Sequence, residues 1–493
     1  MSEAVSLEPF VGGSRRAPAS EREVVLTNPA NNSETARFAA AGLEAIDAAV
    51  LSARSAFEGV WGGMPPAARA GVLKAFAAQI EANADRLAAS DCLDMGKPVS
   101  AGRFEAAMVA AGFVRYYAEA IDKWQRGIVA PTDAGAFEAQ VRRPRGVIAT
   151  IIPWNFPVIN LAMKIAPMLA AGNAVVVKPS ELSPRSASLI AELAMAAGLP
   201  PGALNIVPGD GQTGDALARH DGIDMLAFTG STATGKALMR GVGESSLKPV
   251  LLECGGKSPE IVFGDMAGQN LDAIAGQILG GAMVNQGQVC VMRSRLYIED
   301  TIYDALLERI VEQARAIRPG DPADPATQFG PLASKRQQTT VEGFIEAAES
   351  EGTKMLLDGR GALGESGGCY VGPTIFEATD TGTSIMQNEV FGPVLAVQRF
   401  SGEDEAVRLA NGTSYGLAAT IWTSDLGRAH RVSDRVDAGM TKVMAAPVRR
   451  MGAGFAHSAE ACKQSGFGIE GGLGALESFS RLHAVEFHYG DAQ

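Results

Sequence analysis

The stretch Val147-Ile148-Ala149-Thr150-Ile151-Ile152-Pro153-Trp154-Asn155-Phe156-Pro157 joins a β-branched run to a turn bracketed by prolines, and a helical pattern over residues 158–171 follows it. Branched side chains suit extended backbone, and Pro153 cannot donate to a sheet ladder, so the run reads as a buried strand that stops there. The cycle then repeats. Ala174-Val175-Val176-Val177-Lys178-Pro179 is a second strand, residues 183–197 a helix and Leu204-Asn205-Ile206-Val207 a third strand. Met225-Leu226-Ala227-Phe228-Thr229 is a fourth, with a helix opening at Ser231. Apolar strands alternating with helices mark a parallel sheet covered by helices, an α/β fold.

Upstream, apolar residues recur at helical spacing over 43–89, which predicts a pair of helices with a stop before Pro65, and another helix spans about 101–124. Downstream, a second alternating series starts near Gly255 and runs through Arg295-Leu296-Tyr297-Ile298, a helix over 303–316 and Val394-Leu395-Ala396-Val397. Pro319, Gly320, Pro322, Pro325, Gly330 and Pro331 punctuate it as a loop. Two α/β units result. Residues 127–145 and 473–489 alternate like strands without a partner in either unit, a pattern of edges used for pairing between subunits.

The chain has 493 residues, 46% of them hydrophobic, enough for two or three domains with full cores. Its net charge of −12 and the lack of any Lys/Arg-rich block exclude the electrostatic footprint of a nucleic-acid binder. No apolar run has the length of a membrane span and residues 1–16 do not resemble a signal peptide, so a cytoplasmic protein with no membrane partner is expected. Five cysteines and five histidines are dispersed with no C-x-x-C pair, which argues against a disulfide framework and against a metal site.

Cys290, in Asn285-Gln286-Gly287-Gln288-Val289-Cys290, and Glu253, in Glu253-Cys254-Gly255-Gly256-Lys257-Ser258-Pro259, offer a thiol and a carboxylate in glycine-rich settings that let a ligand approach. A thiol that attacks a carbonyl carbon at neutral pH needs a base, and the pair reads as nucleophile and base. A buried small cysteine and a surface-turn glutamate are the plainer alternative. Asn155, just past a strand end, carries an amide suited to holding an oxyanion, or is simply a turn residue between prolines. Gly230-Ser231-Thr232 ends a strand and opens a helix, so its N–H groups could face a pyrophosphate or merely cap the helix. Lys178-Pro179-Ser180-Glu181 could place a carboxylate on ribose hydroxyls, or be a solvated helix start.

Together with Phe228-Thr229-Gly230-Ser231-Thr232, Gln286-Gly287-Gln288-Val289-Cys290 and Glu389-Val390-Phe391-Gly392-Pro393, these segments resemble the ordered motif set of the NAD(P)-dependent aldehyde dehydrogenase superfamily, hydrolytic branch. The resemblance runs from about Pro29 to about Glu470. It implies a Rossmann-like cofactor domain (1–121 and 145–255), a catalytic α/β domain (256–471) and a small oligomerisation β segment (122–144 and 472–493), in a homodimer or homotetramer. It implies that Cys290 forms a thiohemiacetal with an aldehyde, that Asn155 and the Cys290 N–H hold its oxyanion, and that Glu253 activates water against the thioester. Glu253 argues against the CoA-acylating branch.

For the cofactor, the resemblance implies Lys178 and Glu181 at the adenosine ribose, Ser231 at the pyrophosphate, Trp154 in the same cleft, and Gln337, Glu389 and Phe391 at the nicotinamide ribose and ring. Ile152, Ser180, Gly211 and Gly230 complete the expected contacts. The Glu181 carboxylate favours NAD over NADP, since it repels a 2′-phosphate, though NADP remains open. Lys164 and Glu470 match further positions near the chemistry.

The pattern departs from the family near the C-terminus. Thr441-Lys442-Val443-Met444 and Ser458-Ala459-Glu460-Ala461-Cys462 replace the usual motifs around a longer loop, so a remodelled aldehyde pocket is expected. Met163 stands where many members carry a bulky aromatic, and Val289 and Val291 flank the nucleophile, with Phe156 also on the substrate side. A bulky or aromatic aldehyde is the expectation, with Arg449 and Arg450 as candidates for an acidic substrate group or as solvated surface. Two rivals stand: a thiol hydrolase or acyltransferase without a dinucleotide, and a catalytically retired structural member of the family.

Overall fold

Val147–Ile151 is buried at every position and lies inside an eight-stranded sheet. The computed structural model describes residues 5–132, 135–448 and 454–489. The sheet runs Ser14–Arg15, Phe10–Val11, Leu204–Ile206, Ala174–Lys178, Val147–Ile151, Met225–Thr229, Val250–Glu253 and Gly466–Phe467. Its five long strands are parallel. Strand order proceeds outward from Val147–Ile151 in one direction and then restarts on its other side with Met225–Thr229. The segments that follow these two neighbours, Pro153–Phe156 and Gly230–Ser231, therefore flank the crevice where the winding reverses, the place open α/β sheets reserve for ligands.

A second sheet of seven strands runs Lys354–Leu357, Thr374–Glu377, Val394–Phe400, Arg295–Glu299, Pro259–Val262, Ala418–Trp422 and Met440–Met444. The chain leaves the first sheet at Glu253 and enters the second at Pro259, through residues 254–258. Cys290 and Glu389 each lie just ahead of a strand of this second sheet. The C-terminal rim of one sheet thus faces the N-terminal rim of the other, and the chemistry-bearing residues collect between them.

Several expected elements shift. The helical stretch over 43–89 is three helices, Leu43–Glu58, Pro66–Ala82 and Ala84–Met95, because Asn83 interrupts the second half with φ −110° and ψ 19°. The helix expected over 101–124 is Val99–Phe104 and Ala111–Ala120 joined by a π-helical turn, Glu105–Ala110. Residues 127–145 and 473–489 do pair, with each other. Ser480–His488 lies antiparallel to Ala136–Pro144, which also pairs with Gly127–Val129. Gly466–Phe467, expected within the catalytic stretch, pairs with Val250–Glu253, and Leu476 and Phe479 sit in the core of the first unit.

Candidate active site

Two cavities meet at Cys290. One, of about 220 Å³, is bounded by Trp154, Asn155, Phe156, Gly230, Ser231, Gln337, Glu389 and Phe391. The other, of about 340 Å³, is bounded by Val109, Phe113, Met163, Glu253, Val291, Leu417, Met440, Phe455, His457 and Glu470. Cys290 is part of both walls. A roomier groove, about 510 Å³, opens beside Asp434–Asp437 and Cys462 and holds none of the expected site residues.

The nucleophile's approach is set by backbone. Asn285, Gln286 and Gly287 all have left-handed φ, at 50°, 55° and 70°. Such a run is costly for residues with a Cβ and persists only where surroundings enforce it. Here the enforcement is contact: a Cβ on Gly287 would lie 2.2 Å from the Gly392 carbonyl oxygen, so the turn is pressed against the loop that carries Glu389 and Phe391. A Cβ on Gly256 would likewise lie 2.2 Å from the Cys290 carbonyl oxygen. These two glycines allow three loops to close on one another.

Asn155 is held on both sides of its amide. Its Nδ2 donates to the Gln288 carbonyl at 2.9 Å, while its Oδ1 accepts from Asn160 Nδ2 at 3.4 Å. Asn285 Nδ2 donates to the Asn155 carbonyl at 2.8 Å. An amide nitrogen carries two hydrogens, so Asn155 retains one for the cavity with its orientation already fixed.

The electrostatics favour protonated groups at rest. Burial, reinforced by Glu389 and Glu253, pushes the Cys290 thiol up to about 12. Burial and then the Glu470 carboxylate push Glu253 up to about 8, against the pull of Lys164. Lys164 is wholly buried and paired with Glu470. Glu389 is raised to about 7 by burial, while its Oε1 accepts the Gly256 N–H at 3.0 Å.

Along the cofactor side, Trp154 and Phe391 meet edge to face, with ring centroids 5.2 Å apart at 87°. Phe391 has φ 55°, and Gln337 Nε2 donates to its carbonyl at 2.8 Å. Ser231 caps the helix Thr232–Ser245, accepting from Thr234 N, a contact worth about 1 kcal/mol that leaves the first N–H groups of the helix facing the crevice. Further out, Lys178 Nζ donates to the Pro179 carbonyl at 3.0 Å and to Glu181 at 3.4 Å. Ser180 is buried there, its Oγ accepting from Leu182 N, and Gly211 opens the exposed start of the helix Gly211–Arg219. Ile152 N donates to the Lys178 carbonyl, tying the two strand ends together. Lys178, Ser180, Glu181, Gly211 and Ile152 are not part of the 220 Å³ wall and form a separate stretch of the same rim.

On the other side, Met163 and Val291 line the second cavity, whereas Val289 packs back onto the core of the second unit and Phe156 faces the first cavity. The wall also contains residues outside any motif, Phe113 and Phe455, whose rings stack edge to face at 4.9 Å. Asn160 gave one usable signal, its place one helical turn beyond Asn155; Phe113 and Phe455 gave none. Arg449 and Arg450 lie outside the described residues.

A sequence model of the Aldehyde dehydrogenase family matches residues 16–485. The chain belongs to the aldehyde dehydrogenase family. Among its relatives is the NADP/NAD-dependent aldehyde dehydrogenase PuuC of Escherichia coli (strain K12), 43% identical over 487 residues, covering 98% of this chain and 96% of PuuC. The crystal structure of the aldehyde dehydrogenase KauB from Pseudomonas aeruginosa superposes with a TM-score of 0.95 at 40% identity, covering 99% of this chain and 97% of KauB. A P. syringae indole-3-acetaldehyde dehydrogenase, AldA, solved with NAD+ and IAA, gives the same TM-score at 39% identity, with 99% and 97% covered. The expected aldehyde dehydrogenase fold, with parallel sheets in a mixed α/β arrangement, is the fold observed.

Among the described residues no helix is long and apolar enough to cross a membrane, and no cluster of three or more His, Cys, Asp or Glu side chains is disposed to hold a metal ion.

Proposed function

We propose that this aldehyde dehydrogenase oxidises a bulky or aromatic aldehyde to its acid with NAD, and that Cys290, Asn155 and Glu253 carry the reaction. The observation that bears this reading is that Cys290 lines both cavities. A carbonyl carbon entering from one side and a cofactor from the other meet only there. The residues fit a dinucleotide: Thr229 Oγ1 is buried without a partner in the wall of the first cavity, and Trp154 and Phe391 line the same cavity.

Ile152, Trp154, Lys178, Ser180, Glu181, Gly211, Gly230, Ser231, Gln337, Glu389 and Phe391 would hold the cofactor, which supplies the acceptor for the hydride leaving the substrate carbon. Cys290 Sγ attacks the aldehyde carbon and its proton passes to a carboxylate, for which Glu253, raised to about 8, is the matched acceptor. The free Asn155 N–H and the Cys290 backbone N–H steady the oxyanion of the thiohemiacetal. Once the thioester has formed and Glu253 has released the thiol's proton to solvent, Glu253 takes a proton from water, the oxygen adds to the acyl carbon, and the C–S bond breaks, the departing sulfur taking the proton from Glu253 to return the thiol.

The apolar wall of Met163, Val291, Leu417, Met440, Phe113 and Phe455 supports a large neutral substrate, since burying apolar surface against it is favourable at about 25 cal/mol per Å². The three-stranded sheet, with Ile128, Val129, Leu482 and Phe487 exposed, supports pairing in a homodimer or homotetramer, and a cytoplasmic location fits the cysteine usage. NAD reduction measured with acetaldehyde, phenylacetaldehyde and a carboxylated aldehyde tests the substrate reading. The aromatic compound should give the highest kcat/KM, and best turnover of acetaldehyde would remove it.

A further inference from the structure

Lys97 is 1% exposed and has no expected role in the sequence, yet its ammonium sits 3.9 Å from the centroid of the Phe156 ring. Its Nζ also donates to both oxygens of Glu105, at 2.8 and 2.7 Å. A buried cation is costly unless paired, and here it has two partners of different kinds, a carboxylate and an aromatic face.

Each partner leads to one cavity. Phe156 lines the cofactor side next to Asn155 and precedes the helix Pro157–Ala171, which carries Asn160, Met163 and Lys164. Glu105 opens the π-helical turn Glu105–Ala110, which brings Val109 to the aldehyde side and leads into the helix bearing Phe113. An extra residue in a helical turn rotates the side chains that follow it, so the turn needs an anchor to fix where Val109 and Phe113 point. Asp91, another acidic group nearby, is raised to about 8 by burial, and burial also raises Glu105 against the pull of Lys97; the direct contacts at 2.8 and 2.7 Å make Glu105 the partner of Lys97.

We propose that Lys97 is a positioning residue for the oxyanion site: held by Glu105, it clamps the Phe156 ring and so fixes the turn that presents the Asn155 amide. The inference rests on the reading of Asn155 given above. Phe156 is the residue after Asn155, and its carbonyl accepts from Asn160 N at 2.8 Å, while Asn160 in turn donates to Asn155 Oδ1. Movement of the ring therefore moves both the backbone and the side-chain support of the oxyanion donor.

The test is a double-mutant cycle with Lys97→Met and Asn155→Ala, read in kcat, with Cys290 alkylation by iodoacetamide as a second readout. Lys97→Met alone should lower kcat about tenfold, as loss of a desolvated cation–π contact implies, and leave the alkylation rate unchanged. In the Asn155→Ala background it should lower kcat no further. Equal effects in both backgrounds, or loss of alkylation together with kcat, would overturn the proposal. If Lys97→Met does not fold, Lys97→Gln, which keeps a hydrogen-bond donor for Glu105 and removes the charge from the ring, takes its place with the same expectations. A normal kcat for Asn155→Ala on its own would instead sink the reading of Asn155, a result distinct from failure of the clamp.

Discussion

The two cavities at Cys290 are built by different means. The cofactor side is made of chain turns: left-handed backbone at Asn285–Gly287 and Phe391, glycines that permit close contact, a capped helix start and a carboxylate bound to a main-chain N–H. The aldehyde side is made of side chains projecting from separate elements, Val109 and Phe113 from one helical stretch, Met163 from another, Met440 from a strand and Phe455 from the loop after it. Backbone placed by loops is the same whatever small changes occur around it. A wall of side chains can be rebuilt one residue at a time, so the first construction suits an invariant ligand and the second a variable one.

The sharpest way to break this comparison is at the shared wall. Cys290→Ala should lower aldehyde oxidation by at least ~10⁴-fold while dinucleotide affinity, read by fluorescence quenching or calorimetry, stays within about twofold. Loss of dinucleotide binding would mean that the two sides are not separable.

Glu253→Gln removes the acceptor for both the thiol proton and the water proton, so it should slow formation of the first equivalent of reduced cofactor and lower steady-state turnover by roughly 10²–10⁴-fold. The pH dependence has a definite sign. Glu253 acts as base only when ionised, and its raised value of about 8 means that hydrolysis in the native enzyme climbs with pH up to about 8 and flattens above it. The Gln variant should lose that rise, and a profile identical to the native one would assign the base elsewhere.

Refilling the aldehyde side should act on one class of substrate alone. Met163→Trp should reduce kcat/KM for aromatic aldehydes by about 10- to 100-fold, with acetaldehyde nearly unaffected. Equal losses for both would show that Met163 supports the catalytic centre rather than the tunnel.

The smallest effect is expected at the outer rim. Glu181, half-exposed beside Lys178, should on change to Ser raise kcat/KM with NADP about tenfold, because a carboxylate there repels a 2′-phosphate. An unchanged NAD/NADP ratio would place the discriminating contact at another residue.

The strands and helices around the first sheet were readable because each is dominated by a local signal: β-branched runs at 147–151 and 174–178, a proline soon after each, a serine ahead of the helix at 232. The break at Asn83 and the π turn at 105–110 were not. Both lie in alanine-rich stretches where every register has a similar pattern, and packing against the helix Pro157–Ala171 and its neighbours selects one.

By itself the sequence determined the order of motifs, the residue types able to attack, hold charge and remove a proton, and the parallel α/β architecture, since strand composition and turn chemistry are properties of adjacent residues. The tertiary structure alone decided that Cys290 borders two cavities, that Phe113 and Phe455 line the second of them, that Ala136–Pro144 pairs with both Gly127–Val129 and Ser480–His488, and that Lys97 packs on Phe156. Those contacts join residues tens to hundreds of positions apart, and no local pattern encodes which distant side chain will fill a given space.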